Sequence, residues 1–206
     1  MTTASERDSR PTEYVTDRAM ISAEGNERLT AWTGAALLVG FAVEGYTVLD
    51  VHWYLTWHIA IGLALLVPVA LKIGSTGYRF ARYYSGSPAY RRKGPPRIVL
   101  RVLGPFLILN TLAVLLTGVA IMFAGSYRHP IQELHKLSFI TWFGLMSIHV
   151  LAYVWRLPKL MWADLLGRGT PRGDAILRIV LVGSSGVLGL GLAAVTLPWV
   201  RSWLAG

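Results

Sequence analysis

Gln132-Glu133-Leu134-His135-Lys136-Leu137-Ser138-Phe139-Ile140-Thr141-Trp142-Phe143-Gly144-Leu145-Met146-Ser147-Ile148-His149-Val150-Leu151 is apolar, long enough to cross a bilayer, and carries two histidines 14 residues apart. In a helix that interval advances about 1400°, roughly 40° short of four turns, so both imidazoles leave nearly the same face. They stand about 21 Å apart along the axis, one toward each side of a hydrocarbon core roughly 30 Å thick. An ionisable side chain inside a span is costly and normally faces the bundle interior. Two inward-facing histidines at two depths point to haem ligation.

The rest of the chain has the same character. Hydrophobic residues make up 53% of the 206 and charged residues 15%, a balance that few soluble domains could keep in solution. The fold class expected is therefore all-α and polytopic. Five membrane helices are predicted at about 29–49, 53–77, 98–125, 132–157 and 175–200. Residues 1–27 read as a flexible cytoplasmic tail, with a short surface helix near Glu13 to Met20 and no continuous apolar region of a secretory signal; 28–206 form the membrane domain.

The net charge of +9 raises a nucleic-acid reading, which the placement of the 20 lysines and arginines excludes. Sixteen fall in the tail, in the connection between the second and third spans (Arg79 to Arg101), and around the connection after the fourth (Arg156 to Arg178). Three fall on the other side (Arg128, Lys136, Arg201), and Lys72 lies within a span. By the positive-inside rule the N-terminus is cytoplasmic and the C-terminus outside, and the excess charge meets anionic lipid. The basic connection Tyr78 to Pro96, with Ser85-Gly86-Ser87-Pro88 and Gly94-Pro95-Pro96 as turn signals, reads as a membrane-surface loop. The chain has no cysteine, so thiolate metal ligation, iron–sulfur clusters and covalent haem attachment are excluded.

Of the five histidines, His52 and His129 lie at span ends, where polar residues are ordinary, while His58, His135 and His149 fall inside spans. The second and fourth spans run in the same direction. His58 and His135 both come soon after the start of a span and are expected at similar depth near the outer face, able to hold one haem iron between neutral imidazoles. Glycines give a partly independent signal, because a porphyrin edge between helices needs a backbone without bulky side chains. Gly118 and Gly104, 14 apart in the third span, match the depths of His135 and His149; Ala31 and Gly45 repeat the interval more weakly in the first.

This arrangement resembles the membrane cytochrome b superfamily, which includes the b-type subunits of formate dehydrogenases and nickel-iron hydrogenases. The segments Leu71-Lys72-Ile73-Gly74-Ser75-Thr76-Gly77-Tyr78-Arg79, Leu134-His135-Lys136-Leu137-Ser138-Phe139 and Ile148-His149-Val150-Leu151 further resemble a mostly actinobacterial group of integral membrane proteins. The resemblance implies a four-helix haem-binding core, haem b in one or two copies, a bacterial cytoplasmic membrane, and no particular substrate. It also implies His58, His135 and His149 as iron ligands and Gly118, Gly104 and Gly45 as haem-flanking positions. Lys72 departs from the pattern, since it stands 14 residues after His58 where a four-histidine scaffold has its inner ligand. Three readings stand for it: its ammonium snorkels to the interface past a break at Gly74 to Gly77, it pairs with a haem propionate or a quinone oxygen, or it ligates iron itself.

Glu44 reads as a snorkelling carboxylate or a proton acceptor at a quinone site, Asn110 and Thr111 as interhelical hydrogen-bonders, and Pro68 as a kink. Trp53, Tyr54, Trp57, Trp155, Trp162, Trp199 and Trp203 form interfacial belts. The glycine-rich fifth span, Gly183 to Gly191, packs closely within the chain or in a homo-oligomer. Three functions fit these features. The first is an electron-transfer cytochrome between a quinone pool and a peripheral or membrane redox subunit at the outer face. The others are a stand-alone reductase of ferric ion or another small acceptor, and a haem-free transporter or assembly factor.

Overall fold

The computed structural model describes residues 9–94, 98–124, 127–168 and 171–205. Among these every element is helical: α1 (Ser9–Val48), α2 (Val51–Tyr84), α3 (Pro88–Arg92), α4 (Ile98–Ile121), α5 (Arg128–Tyr153), a 3₁₀ turn (Val154–Arg156), α6 (Leu157–Leu165) and α7 (Arg172–Ala205). Five stretches are long and apolar enough to cross a membrane: Ala23–Val48, Val51–Tyr84, Arg101–Ile121, Arg128–Leu165 and Gly173–Arg201. The all-α, five-span fold expected from the sequence is the fold observed.

Several boundaries differ from expectation. The backbone of 9–27, expected as a flexible tail, is the first part of α1; residues 1–8 lie outside the described residues, as do Pro95, Pro96, Arg97 and Gly125. No break occurs at Gly74 to Gly77, because glycine within a helix weakens it without ending it. Instead α2 runs to Tyr84 and stops at Ser85 and Gly86, where Gly86 adopts a left-handed φ of +88° and Ser85 N–H donates to the Ala81 carbonyl. At its other end the Asp50 carboxylate accepts from Trp53 N–H at 3.1 Å, capping the helix. The expected fourth span divides at Tyr153 into α5, the 3₁₀ turn and α6.

Two antiparallel hairpins, α1–α2 and α4–α5, each pack extensively within themselves, and α2 meets α4 over a smaller contact. α7 lies on α1 and α2. Its crossing with α2 is so close that a Cβ on Gly189 would collide with the Ala64 carbonyl, whereas Gly183, Gly186 and Gly191 face open space. Leu37, Leu65 and Val69 with Phe41 and Leu115 fill the centre between α1, α2 and α4. Leu63, Met122, Ala193 and Val200 join α2 and α7 to the end of α4. Large apolar side chains such as Val39, Leu109, Ile140 and Val195 point outward, as lipid-facing residues do. Trp53 and Trp57 are exposed at the end of the bundle carrying the tight α1–α2 turn, and Trp155 and Trp162 at the arginine-rich end.

Candidate functional site

His58 and His135 each lie seven residues past the first residue of their helices, α2 and α5. Because the two helices run in the same direction, the histidines reach the same level, and their ring centres stand 6.3 Å apart with planes at 79°. Each ring is anchored by the helix that precedes it in the chain. His135 Nδ1 lies 3.0 Å from the Val114 carbonyl and 3.0 Å from Thr117 Oγ1, both on α4. A carbonyl only accepts, so Nδ1 carries the proton and Nε2 presents a bare lone pair. The Thr117 hydroxyl donates to the Ala113 carbonyl at 2.6 Å, which leaves its oxygen free to accept from the imidazole.

The other half repeats this on α1. His58 Nδ1 is 2.9 Å from Thr47 Oγ1 and 3.1 Å from Glu44 Oε1, while the Thr47 hydroxyl donates to the Glu44 carbonyl at 2.6 Å. With its own proton directed to that carbonyl, the Thr47 oxygen accepts, which again places the proton on Nδ1. Neither Nε2 has a hydrogen-bond partner among the described residues.

Gly118 faces His135 directly, since a Cβ there would come within 3.2 Å of His135 Cε1 and 3.6 Å of Nδ1. Gly104 and Gly45 do not, for a Cβ at either position would meet nothing within 4 Å. The second level is not a matching pair. His149 has no hydrogen-bond partner among the described residues, and its ring lies 4.9 Å from that of Tyr153.

Lys72 turns toward α1, where Nζ donates to the Thr30 carbonyl at 2.5 Å and would lie 3.0 Å from a Cβ on Gly34. Of its three readings, snorkelling past a break loses its basis, because α2 continues for 12 residues beyond Lys72 and a backbone carbonyl meets the ammonium inside the bundle. His52 and His129 are exposed. Glu44 does not snorkel either: Oε1 faces His58, and Oε2 is buried without a partner.

No known family, curated protein or solved structure matches the chain. What the site can do therefore rests on its own donor set. Among the described residues no three His, Asp or Glu side chains are grouped to hold a bare metal ion. Two facing neutral imidazoles fit a cofactor that brings its other metal ligands with it. A ligating imidazole nitrogen sits about 2 Å from its metal, so two rings sharing one metal on a line have centres roughly 6 Å apart. The observed separation agrees, and the bare backbone at Gly118 lets the His135 ring lie close against α4.

Sequence reasoning missed Thr47, Thr117 and the Val114 carbonyl. The available signal was distance from the turns: residues shortly before a tight turn pack beside those shortly after it. It also missed a buried ion cluster at the arginine-rich end. Asp164 of α6, 2% exposed, accepts from Arg28 Nη1 at 3.1 Å, Trp32 Nε1 at 3.0 Å and Arg178 Nε at 3.1 Å, and also from Arg178 Nη2. Arg28 also donates to the Arg168 carbonyl. These two arginines, counted above as topology signals, tie α6 to α1 and α7.

Proposed function

We propose that the protein is a b-type membrane cytochrome holding one haem between His58 and His135. The observation that carries this reading is the matched pair of histidines, level with each other, both protonated on Nδ1 by acceptors on the preceding helix, with ring centres 6.3 Å apart. Haem bound there supplies one-electron chemistry at iron. His58 and His135 would hold the group through Nε2, and Thr47 on one side and Thr117 and Val114 on the other hold those rings in one orientation and one tautomer. Gly118 leaves space beside His135. The surrounding apolar helices keep water away and lower the local dielectric, which favours the less charged state of the site.

One haem is the stoichiometry the geometry favours. At the second level Lys72 is engaged with Thr30, and no histidine is paired with His149. The charge asymmetry supports a cytoplasmic arginine-rich end, with the His58–His135 level toward the outer face. The connection between α1 and α2 at that face is only Leu49–Asp50, which supports a reading in which electrons pass between a membrane quinone and a separate redox subunit or small acceptor there.

Purified protein expressed with ample haem is expected to show a reducible b-type spectrum at one haem per chain. His135→Ala is expected to remove the signal while the helical far-ultraviolet spectrum is retained. A colourless wild-type preparation, or a His135→Ala variant with undiminished haem, overturns the proposal. Reoxidation by ferric chelate without any partner protein would identify a stand-alone reductase instead of a complex subunit.

A further inference from the structure

Charges at the arginine-rich end are unevenly matched. Glu27 of α1 takes Lys93 at 2.7 Å and Arg156 at 3.2 Å, and Asp164 of α6 takes Arg28 and Arg178. The turn from α2 into α3 has no such compensation. Arg82, in the last turn of α2, places Nη2 3.4 Å from Ser87 Oγ. Arg91, on α3, lies over the backbone of the same turn, since a Cβ on Gly86 would stand 3.7 Å from its Cζ and 3.8 Å from its Nη2. The left-handed φ of +88° at Gly86 and its missing side chain are what let Arg91 come down there. Both guanidiniums are exposed, and among the described residues neither meets a carboxylate and Arg91 makes no hydrogen bond. Two like charges thus converge on neighbouring residues, repelling each other, with nearly all of their N–H donors unused. Contacts with α4 fix the depth of this turn. Arg101 opens the span Arg101–Ile121, whose 21 residues cover about 31 Å, the thickness of a hydrocarbon core. Its guanidinium donates to the Tyr84 hydroxyl and lies 5.3 Å from the centre of that ring. Tyr84, and the turn that follows it at once, is therefore level with the inner edge of the hydrocarbon, where lipid phosphates begin.

We infer that Arg82 and Arg91 form a site for the phosphodiester of an anionic glycerophospholipid, held between the two guanidiniums at Gly86 and Ser87. A guanidinium fork matches phosphate oxygens, often two at a time, and one phosphate between two forks turns their repulsion into attraction. The Ser87 hydroxyl, which accepts from Arg82, keeps its own proton for a further phosphate oxygen. Depth selects a lipid as the source: the turn lies where headgroups are concentrated, and the helix surfaces beside it expose Phe80, Tyr84 and Val102 to the bilayer. The site is more specific than the general attraction of a basic loop for the membrane. Arg92 is equally exposed and next in sequence, yet no atom of it comes within 4 Å of a Cβ on Gly86. The bound phosphate joins the end of α2 to α3 and is independent of the haem.

Native mass spectrometry of the purified full chain, titrated with phosphatidylglycerol or phosphatidylcholine, tests the site. Wild type is expected to retain one phosphatidylglycerol under conditions that strip phosphatidylcholine. Arg82→Gln combined with Arg91→Gln is expected to bind it about thirtyfold more weakly, from about fivefold for each arginine lost at a membrane surface. Arg91→Gln alone, which breaks no hydrogen bond in the structure, is expected to weaken it about fivefold. Arg92→Gln combined with Lys159→Gln removes the same charge from exposed positions elsewhere and is expected to bind as wild type does. All these variants should keep the wild-type unfolding temperature in zwitterionic detergent without added lipid, because the side chains are exposed. Undiminished retention of phosphatidylglycerol in the Arg82→Gln, Arg91→Gln protein overturns the site. An equal loss in the Arg92→Gln, Lys159→Gln protein overturns it too, because net charge alone would then explain the binding. Displacement of the lipid by millimolar inorganic phosphate overturns the lipid assignment in favour of a soluble phosphate.

Discussion

The glycines provide the sharpest perturbation, because the structure separates three positions that the sequence treats alike. A methyl added at Gly118 would lie 3.2 Å from His135 Cε1, inside ordinary van der Waals contact, so ring or helix must yield by a few tenths of an ångström. The ring has little freedom to move, since its Nδ1 is held at 3.0 Å by both the Val114 carbonyl and Thr117 Oγ1, and retreat stretches both bonds. Overpacking of this kind costs about 1–3 kcal/mol, and about 1.4 kcal/mol is a factor of ten in binding. Gly118→Ala is therefore expected to weaken haem retention about tenfold or more, and the branched Gly118→Val to abolish it. The backbone pulls the other way, since alanine in a helix is favoured over glycine by about 0.5–1 kcal/mol, so the haem-free Gly118→Ala protein, which meets the same contact, should lose no more than about 2 kcal/mol. At Gly104 and Gly45 a methyl meets nothing, and alanine there should leave haem retention unchanged. The assay is haem transfer to an excess of apomyoglobin, followed by absorbance, with thermal unfolding of the haem-free proteins in parallel. Full haem retention in Gly118→Val, or equal damage from Gly104→Ala, would refute the argument.

Asp164→Ala strips the shared carboxylate from buried Arg28 and Arg178 and should lower stability by about 3–5 kcal/mol, measured by denaturant unfolding in detergent; a loss below about 1 kcal/mol would contradict the reading of this cluster as a latch. Lys72→Met and His149→Ala should each leave one haem per chain with an unaltered spectrum, whereas a changed low-spin signal in either would restore a second haem level. Because the chain has no cysteine, single-cysteine variants report orientation cleanly. His129→Cys should react with a membrane-impermeant maleimide in intact cells and Ser85→Cys only after lysis; the reverse pattern would invert the topology.

What the sequence revealed and what it concealed follow from range. The 14-residue interval of His135 and His149 and the apolar lengths are properties of single helices, and they were readable. That His58 and His135 begin equally far into their helices became visible only with the true helix starts at Val51 and Arg128. Gly74 and Gly77 resembled a break because glycine is read as punctuation, yet α2 ends where Gly86 takes a left-handed φ. Glu44 was mistaken for a snorkelling side chain because its partner comes from another helix. Arg28 and Arg178 were counted correctly as charges on one side, but composition cannot report that both turn inward onto Asp164.

Each histidine is anchored by the helix it follows, His58 by α1 and His135 by α4, so each hairpin is a complete half-site. The hairpins pack extensively within themselves and less extensively against each other. A cofactor ligated by both would therefore cross the weakest seam in the core and act as a tie across it. Binding to the folded state alone stabilises by about 4 kcal/mol when free ligand is a thousand times its dissociation constant. Most of that gain should appear as resistance of the two hairpins to separation. Haem should raise the unfolding temperature of the intact chain, and it should slow backbone amide hydrogen exchange at the facing ends of the α1–α2 and α4–α5 hairpins. His135→Ala should show neither effect. Exchange at those ends that haem leaves unchanged would mean that direct packing, not a shared ligand, joins them.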